Sequence, residues 1–156
     1  MTHETFLEKC GQDLPPAGAP EGYLINSFRP AAESAVSRGF TIVLPESSEI
    51  LIDLDDEAAE LRFIERFTDI RGILQNTPLG APQIVATWTS KSGKGRHVVV
   101  DMRVVIYDTS ERIAWQALLG SDYKREAIAL LRRRGGIPTP SRLFKPPGAN
   151  EARPEK

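Results

Sequence analysis

Residues 49–74 read EILIDLDDEAAELRFIERFTDIRGIL, in which a strand pattern passes directly into a helix pattern. Residues 49–54 are mostly apolar and include two β-branched isoleucines, which predicts a strand. From Glu57 to Leu74 apolar residues recur at steps of three and four, which predicts a helix with one buried face. That face is predicted to consist of Leu61, Ile64, Phe67, Ile70 and Leu74.

Strand and helix patterns continue on both sides of this stretch. The strand patterns cover residues 40–44, 83–89, 97–107 and 141–145, and a helical pattern covers residues 109–134 with a break near residues 118–122. Glycine and polar residues between the second and third of these strands suit a hairpin loop.

From residue 49 onward the order is therefore strand, helix, strand, strand, helix, strand. Each helix has one apolar stripe to bury, and an antiparallel sheet with two helical segments on one face buries both. The sequence thus predicts an α+β fold of the ferredoxin-like or RNA-recognition-motif-like type. Residues 40–44 would be an N-terminal strand extension.

The chain has 156 residues, the usual size of one domain. Proline and glycine are frequent in residues 11–22 and again from residue 146. These stretches predict a flexible N-terminal arm over residues 1–22, a single α+β domain over residues 23–145 and a disordered tail over residues 146–156.

The composition is that of an ordinary soluble protein, with 40% hydrophobic and 26% charged residues. No apolar run approaches the roughly 20 residues that a membrane-spanning helix needs. The single cysteine, Cys10, excludes an internal disulfide framework, and the first residues do not have the pattern of a secretory signal. A cytoplasmic protein with no membrane partner is expected.

Two acidic residues, Asp53 and Asp55, lie at the end of the strand predicted over residues 49–54. Alternation along a strand puts both on the same face, about two rises of roughly 3.3 Å apart. Adjacent carboxylates repel unless a cation neutralises them, and Mg²⁺ or Mn²⁺ does so at nucleotidyl-transfer sites. In the alternative interpretation, Asp55 or Asp56 only caps the following helix and Asp53 is solvated.

Residues 89–97, TSKSGKGRH, combine two glycines and three hydroxyls with the cations Lys91, Lys94 and Arg96. This composition favours contact with an anion, and His97 could donate a ring N–H to a phosphate. The spacing is not that of the Walker phosphate loop. The alternative is an exposed hairpin with solubilising lysines.

Together, the Asp-x-Asp at a strand end and the Ser-Gly-x-Gly-x-His hairpin resemble motifs one and two of the archaeo-eukaryotic primase superfamily, the primase-polymerases. The resemblance covers roughly residues 49–144. It implies that Asp53 and Asp55 ligate Mg²⁺ or Mn²⁺ and that Ser92 and His97 contact nucleotide phosphates, with Lys94 and Arg96 alongside. Residues 118–126, LLGSDYKRE, also resemble segments of small phage-encoded proteins of this type, with no chemistry assigned to them.

The family has a third acidic motif, for which the chain offers Asp101, Asp108 or Asp122. Asp101 is four residues beyond His97 in the same predicted strand, while Asp108 suits a helix cap. Asp53, Asp55 and His97 would be the catalytic residues, and Asp101 or Asp122 the further metal ligand.

The resemblance implies a DNA-directed nucleotidyltransferase that takes nucleoside triphosphates and a DNA template, in replication or repair of a mobile element such as a phage. Basic residues between Lys124 and Lys145 would track the template, unless they form a solvated face. Trp88 and Trp115 would stack on bases or, alternatively, be buried. The rival hypotheses are a non-catalytic RNA-recognition-like module that binds nucleic acid or nucleotides, and a phage accessory protein that binds another protein.

Overall fold

The computed structural model describes residues 35–135, 141–150 and 152. Within them the strands are β1 (Thr41–Val43), β2 (Glu49–Leu54), β3 (Gln83–Thr89), β4 (Arg96–Asp101) and β5 (Leu143–Lys145), and the helices are α1 (Glu57–Leu74), α2 (Thr109–Leu118) and α3 (Tyr123–Arg134). A helical turn at residues 35–37 comes before β1. None of these helices is long and apolar enough to cross a membrane. The predicted arm over residues 1–22 lies outside the described residues.

The central feature is a three-stranded antiparallel sheet in the order β2-β4-β3. Helix α1 connects β2 to β3 across β4, which lies between them, and a hairpin then joins β3 to β4. This connection is compatible with a ferredoxin-like arrangement, and the predicted α+β class is confirmed.

One face of the sheet packs against α1. The helix begins at Asp56, whose side chain accepts a hydrogen bond from the backbone N–H of Ala59 at 2.8 Å. Phe63 and Phe67 stack with ring centroids 5.5 Å apart and are buried against the strands. Of the two residues offered as the helix cap, Asp55 and Asp56, it is therefore Asp56 that caps α1.

The predicted buried face of α1 is wrong at two positions. Leu61 and Ile64 are 62% and 58% exposed, whereas Phe63 is buried. Phe67 and Leu74 are buried as predicted. The helix contains two overlapping apolar stripes, and the one with the two aromatic rings covers more of the sheet, so it is the one that faces inward.

The other face of the sheet is covered by a two-stranded antiparallel sheet of β1 and β5. Leu143 from β5 packs with Leu51, Trp88 and Val99 in a second core cluster. Beyond β5, Ala152 pairs with Thr87. The strand over residues 143–145 thus exists, but it pairs with β1 instead of extending the central sheet.

Strand β4 ends at Asp101, six residues before the predicted end of the strand at Tyr107. Arg103 has a positive φ of 66°, which turns the chain out of the sheet. Met102 and Ile106 then donate backbone N–H groups to the loop before β2. Ile106 and the partly buried Val104 thus pack in the core without belonging to the ladder.

Gly95 lies where the β3–β4 hairpin meets the end of β2. A Cβ at this position would overlap the carbonyl oxygen of Leu54 and lie 3.0 Å from that of Asp55. We expect Gly95→Ala to lower the free energy of unfolding by about 3 kcal/mol, because backbone atoms must move to make room. Gly72→Ala in α1 meets nothing within 4 Å and is expected to raise it by up to about 1 kcal/mol. Urea unfolding of both variants checks this, and equal effects would contradict the close approach.

Candidate functional site

Asp53 and His97 face each other across β2 and β4. They are directly paired in the antiparallel register, with Asp53 Oδ1 3.2 Å from His97 Nε2. The outer backbone groups of Asp53 bond to residues 121–122 rather than to β4. This is therefore a non-hydrogen-bonded pair, which brings opposite side chains closest. Asp53 and His97 therefore lie on the same face of the sheet.

His97 is a buried residue, 9% exposed. Its ring packs edge-on against Trp88 at a centroid distance of 5.6 Å. Nε2 faces Asp53, while Nδ1 has no hydrogen-bond partner among the described parts of the chain. As placed, His97 orients the carboxylate of Asp53. Trp88 is itself 2% exposed, so of its two predicted roles the buried one is confirmed.

The carboxyl group of Asp53 is held in its ionised form. Burial alone would raise its pKa, but the hydrogen bond and charge of His97, together with the charge of Arg125, outweigh burial and lower the pKa. An ionised carboxylate at neutral pH is the state that can ligate a cation.

The lowered pKa of Asp53 predicts a pH-dependent contribution to stability. Since the pKa is lower in the folded than in the unfolded chain, ionised Asp53 stabilises the fold above the unfolded pKa of about 4. This stabilisation is lost as the pH falls through the folded pKa. We expect the stability difference between wild type and Asp53→Asn to shrink below about pH 4 in urea unfolding experiments. A difference that stays constant with pH would contradict the pairing.

Asp55 lies just after β2 and is exposed. Its pKa is raised by partial burial and by the charges of Asp122, Asp53 and Asp56, against a smaller opposing effect of Lys124. The charges of three carboxylates thus act on Asp55 at the point where β2, α1 and α3 meet. A cation at this point would relieve their repulsion.

Asp101 and Asp122 are the two candidates for the third acidic residue, and Asp122 is the nearer of them to Asp53. Its backbone N–H donates to the carbonyl oxygen of Asp53 at 2.8 Å, and its side chain caps α3. Asp101 is at the opposite end of β4 from His97, roughly 13 Å away by strand rise. Its carboxylate accepts from the backbone N–H of Arg103 at 2.8 Å. Asp122 is therefore the candidate that lies beside Asp53.

Among the described residues, no group of three or more histidine, cysteine and acidic side chains could by itself hold a metal ion. Mg²⁺ at nucleotide sites is usually bound through one or two carboxylates, and phosphate oxygens and water complete its coordination. Asp53 and Asp55, with Asp122 beside them, fit such a partial set of oxygen donors. They do not form a complete protein cage.

The hairpin between β3 and β4 is held by its own hydroxyls. Ser90 Oγ and Ser92 Oγ are 3.0 Å apart, and the backbone N–H of Lys94 donates to Ser92 Oγ at 3.3 Å. Gly93 has a φ of 73°, a conformation in which glycine avoids strain. Gly95, by contrast, allows close approach to β2 rather than to a ligand.

The residues predicted to contact phosphates separate into two sets. Ser92 and His97 line one cavity of about 470 Å³ together with Asp53 and Asp55. Arg96 instead makes an ion pair with Glu60 of α1, with Arg96 Nε 3.2 Å from Glu60 Oε2, because alternation along β4 turns its side chain to the other face.

Lys94 does not line the cavity either. Lys91, which the sequence named as one of the loop cations, does line it and lies with Nζ 5.7 Å from the centroid of the Phe40 ring. Of the three loop cations, Lys91 thus lines the same cavity as Asp53 and Asp55, and Lys94 and Arg96 do not.

A second cavity, of about 370 Å³, shares Asp53, His97 and Phe144 with the first. Its other walls come mainly from α2, α3 and residues 141–144. Basic residues are prominent among them, namely Arg112, Lys124, Arg125, Arg132 and Arg142. The Asp53–His97 pair therefore borders both cavities. Asp55 lines the first, and Asp122 and Glu126 line the second together with these basic residues.

Side chains of α2, of α3 and of the turn between them, which sequence reasoning did not assign to the site, contact the backbone of β2. Gln116 and Arg125 bond to Leu51, and Ser121 bonds to Asp53. Their contribution depends on where α2 and α3 dock, which no local pattern reveals. The resemblance of residues 118–126 to phage proteins was the available signal, and it carried no chemistry.

Compared with protein-family models, with curated proteins and with solved structures, the chain matches none of them. The resemblance to primase-polymerases therefore rests on the two motifs and stays a prediction.

Proposed function

We propose that this protein is a metal-dependent nucleotidyltransferase of the primase-polymerase type, acting in the cytoplasm in replication or repair of the DNA of a mobile element. The observation that carries the proposal is the meeting of Asp53 and Asp55 with His97 and Ser92 of the glycine hairpin in one cavity. The two motifs are separated in sequence, and their convergence is what a shared metal and phosphate site requires.

Asp53 and Asp55 would hold Mg²⁺ or Mn²⁺, with Asp122 beside them. The ion would supply charge neutralisation at the α-phosphate of a nucleoside triphosphate and so favour attack by a 3′-hydroxyl, with pyrophosphate as the leaving group. His97 holds the Asp53 carboxylate in place, while Ser92 and Lys91 offer a hydroxyl and a positive charge to the phosphates. No covalent intermediate with the protein is needed.

The second cavity is suited to the acceptor strand. Its arginine and lysine side chains would attract a polyanion, and it borders the same Asp53–His97 pair. A primer end in this cavity and a nucleotide in the first would therefore meet beside the carboxylates. The template is proposed to be DNA.

The RNA-recognition-like alternative is less well supported by the fold. Such modules bind single strands on an open sheet face that displays aromatic rings. Here the face that lacks α1 is covered by β1 and β5, and Trp88 is buried beneath them. A nucleic acid would have to use the cavities or the helices instead.

The proposal is tested by extension of a labelled DNA primer on a template with Mn²⁺ and nucleoside triphosphates. We expect incorporation that EDTA abolishes and that excess Mn²⁺ restores. Omission of the template distinguishes copying from untemplated addition. Absence of incorporation with either Mg²⁺ or Mn²⁺ and with either ribo- or deoxynucleotides would contradict the proposal.

A further inference from the structure

Both outward-facing backbone groups of Asp53 are held by two consecutive residues. The N–H of Asp53 donates to Ser121 Oγ at 3.1 Å, and its carbonyl oxygen accepts from the N–H of Asp122 at 2.8 Å. In an extended sheet a neighbouring strand would make these bonds. Here they fix Asp53 relative to Asp122, the acid whose charge acts most strongly on Asp55.

Ser121 is in turn held by Glu126, which is 3% exposed. Ser121 Oγ donates its hydrogen to Glu126 Oε1 at 2.9 Å, so its oxygen is left to accept from Asp53. Arg125 Nη1 donates to the same carboxylate oxygen at 2.6 Å. A hydroxyl has one hydrogen, and the buried carboxylate determines where that hydrogen points.

Glu126 also orients Gln116. The amide nitrogen Nε2 donates to Glu126 Oε2 at 2.8 Å, which directs the amide oxygen toward the N–H of Leu51 at 3.1 Å. The carboxylate of Glu126 therefore orients both Ser121 and Gln116. These two side chains accept the backbone N–H groups of Asp53 and Leu51 at the outer edge of β2.

We infer that Ser121 and Glu126 are positioning residues for the cation-ligating carboxylate of Asp53, an inference that rests on the proposed function. Neither residue lines the cavity proposed for the nucleotide and the ion. Their contacts with the backbone of β2 determine how Asp53 is placed relative to Asp55 and Asp122. Loss of hydrogen-bonding partners behind metal ligands commonly weakens metal affinity by about 10- to 100-fold.

The test measures Mn²⁺ binding without nucleotide, by electron paramagnetic resonance of the free ion, on wild type, Ser121→Ala and Glu126→Gln. Glu65→Gln is the matched control because Glu65 is an exposed glutamate on α1. Near-ultraviolet circular dichroism confirms that each variant is folded. We expect the Mn²⁺ dissociation constant to rise about 10- to 100-fold in Ser121→Ala and Glu126→Gln and to stay unchanged in Glu65→Gln.

A merely structural role would lower the melting temperature of these variants and leave the Mn²⁺ affinity of the folded protein unchanged, which would overturn the inference. If Glu126→Gln does not fold, Ser121→Ala decides, since it removes a single hydroxyl. Wild-type binding that Asp53→Asn abolishes and Ser121→Ala leaves intact overturns this inference alone. Wild type that binds no Mn²⁺ overturns the metal-dependent function as well.

Discussion

The double substitution Asp53→Asn plus Asp55→Asn is expected to reduce primer extension by about 100- to 1,000-fold. This is the effect of removing groups that stabilise a charged transition state. Asparagine keeps the shape of each side chain and removes the charge that would hold the cation. Steady-state incorporation of a labelled nucleotide, measured at saturating Mn²⁺, reports the loss.

The control for this double variant is Asp69→Asn, which changes an exposed aspartate of α1 far along the helix from the cavity. It should incorporate nucleotide at the wild-type rate. Thermal unfolding of the double variant separates loss of chemistry from loss of fold. A folded double variant with wild-type incorporation would remove both carboxylates from the mechanism.

Glu126→Ala is expected to lower the free energy of unfolding by about 3–5 kcal/mol. Two effects compete at this residue. Burial raises the pKa of Glu126, so the carboxylate is costly to keep in the interior. Its removal, however, takes a hydrogen-bond partner from Arg125, Gln116 and Ser121 at once. Loss of one member of a buried charged network normally outweighs the desolvation that is recovered.

Urea unfolding at neutral pH measures this change. Glu65→Ala, the exposed counterpart, should stay within about 0.5 kcal/mol of wild type. A loss of less than about 1 kcal/mol in Glu126→Ala would show that the network is replaceable by water, and would contradict its description as the support of the β2 edge.

The elements between residues 49 and 89 follow from local pattern because each has a clear periodicity and a clear end. Strand β2 has the predicted bounds, and so do α1 and β3. The end of β4 and the partner of β5 do not follow in this way. They depend on the positive φ at Arg103 and on side chains from α2 and α3 that already cover the outer edge of β2.

In the candidate site, too, some features follow from local sequence pattern and others depend on how the helices dock. Alternation in a strand predicts that Asp53 and Asp55 share one face, but it does not predict their partner across the sheet. The structure pairs Asp53 with His97. Alternation also turns Arg96 away from His97, so its predicted place beside the phosphates could have been questioned from sequence. The sequence cannot distinguish Asp122 from Asp101 as the neighbour of Asp53, since this depends on the docking of α3 at the end of β2.

The central claim is that Asp53 and Asp55 form a site shared by a divalent cation and a nucleotide's phosphates. Its most direct test is the Mn²⁺ affinity of wild type and of Asp53→Asn plus Asp55→Asn, with and without a non-hydrolysable nucleoside triphosphate. We expect the nucleotide to tighten Mn²⁺ binding to wild type by about 10-fold or more beyond the binding of Mn²⁺ by the nucleotide itself. The double variant should show no such gain. Equal Mn²⁺ affinity of wild type with and without nucleotide, or equal gain in both proteins, would contradict the account.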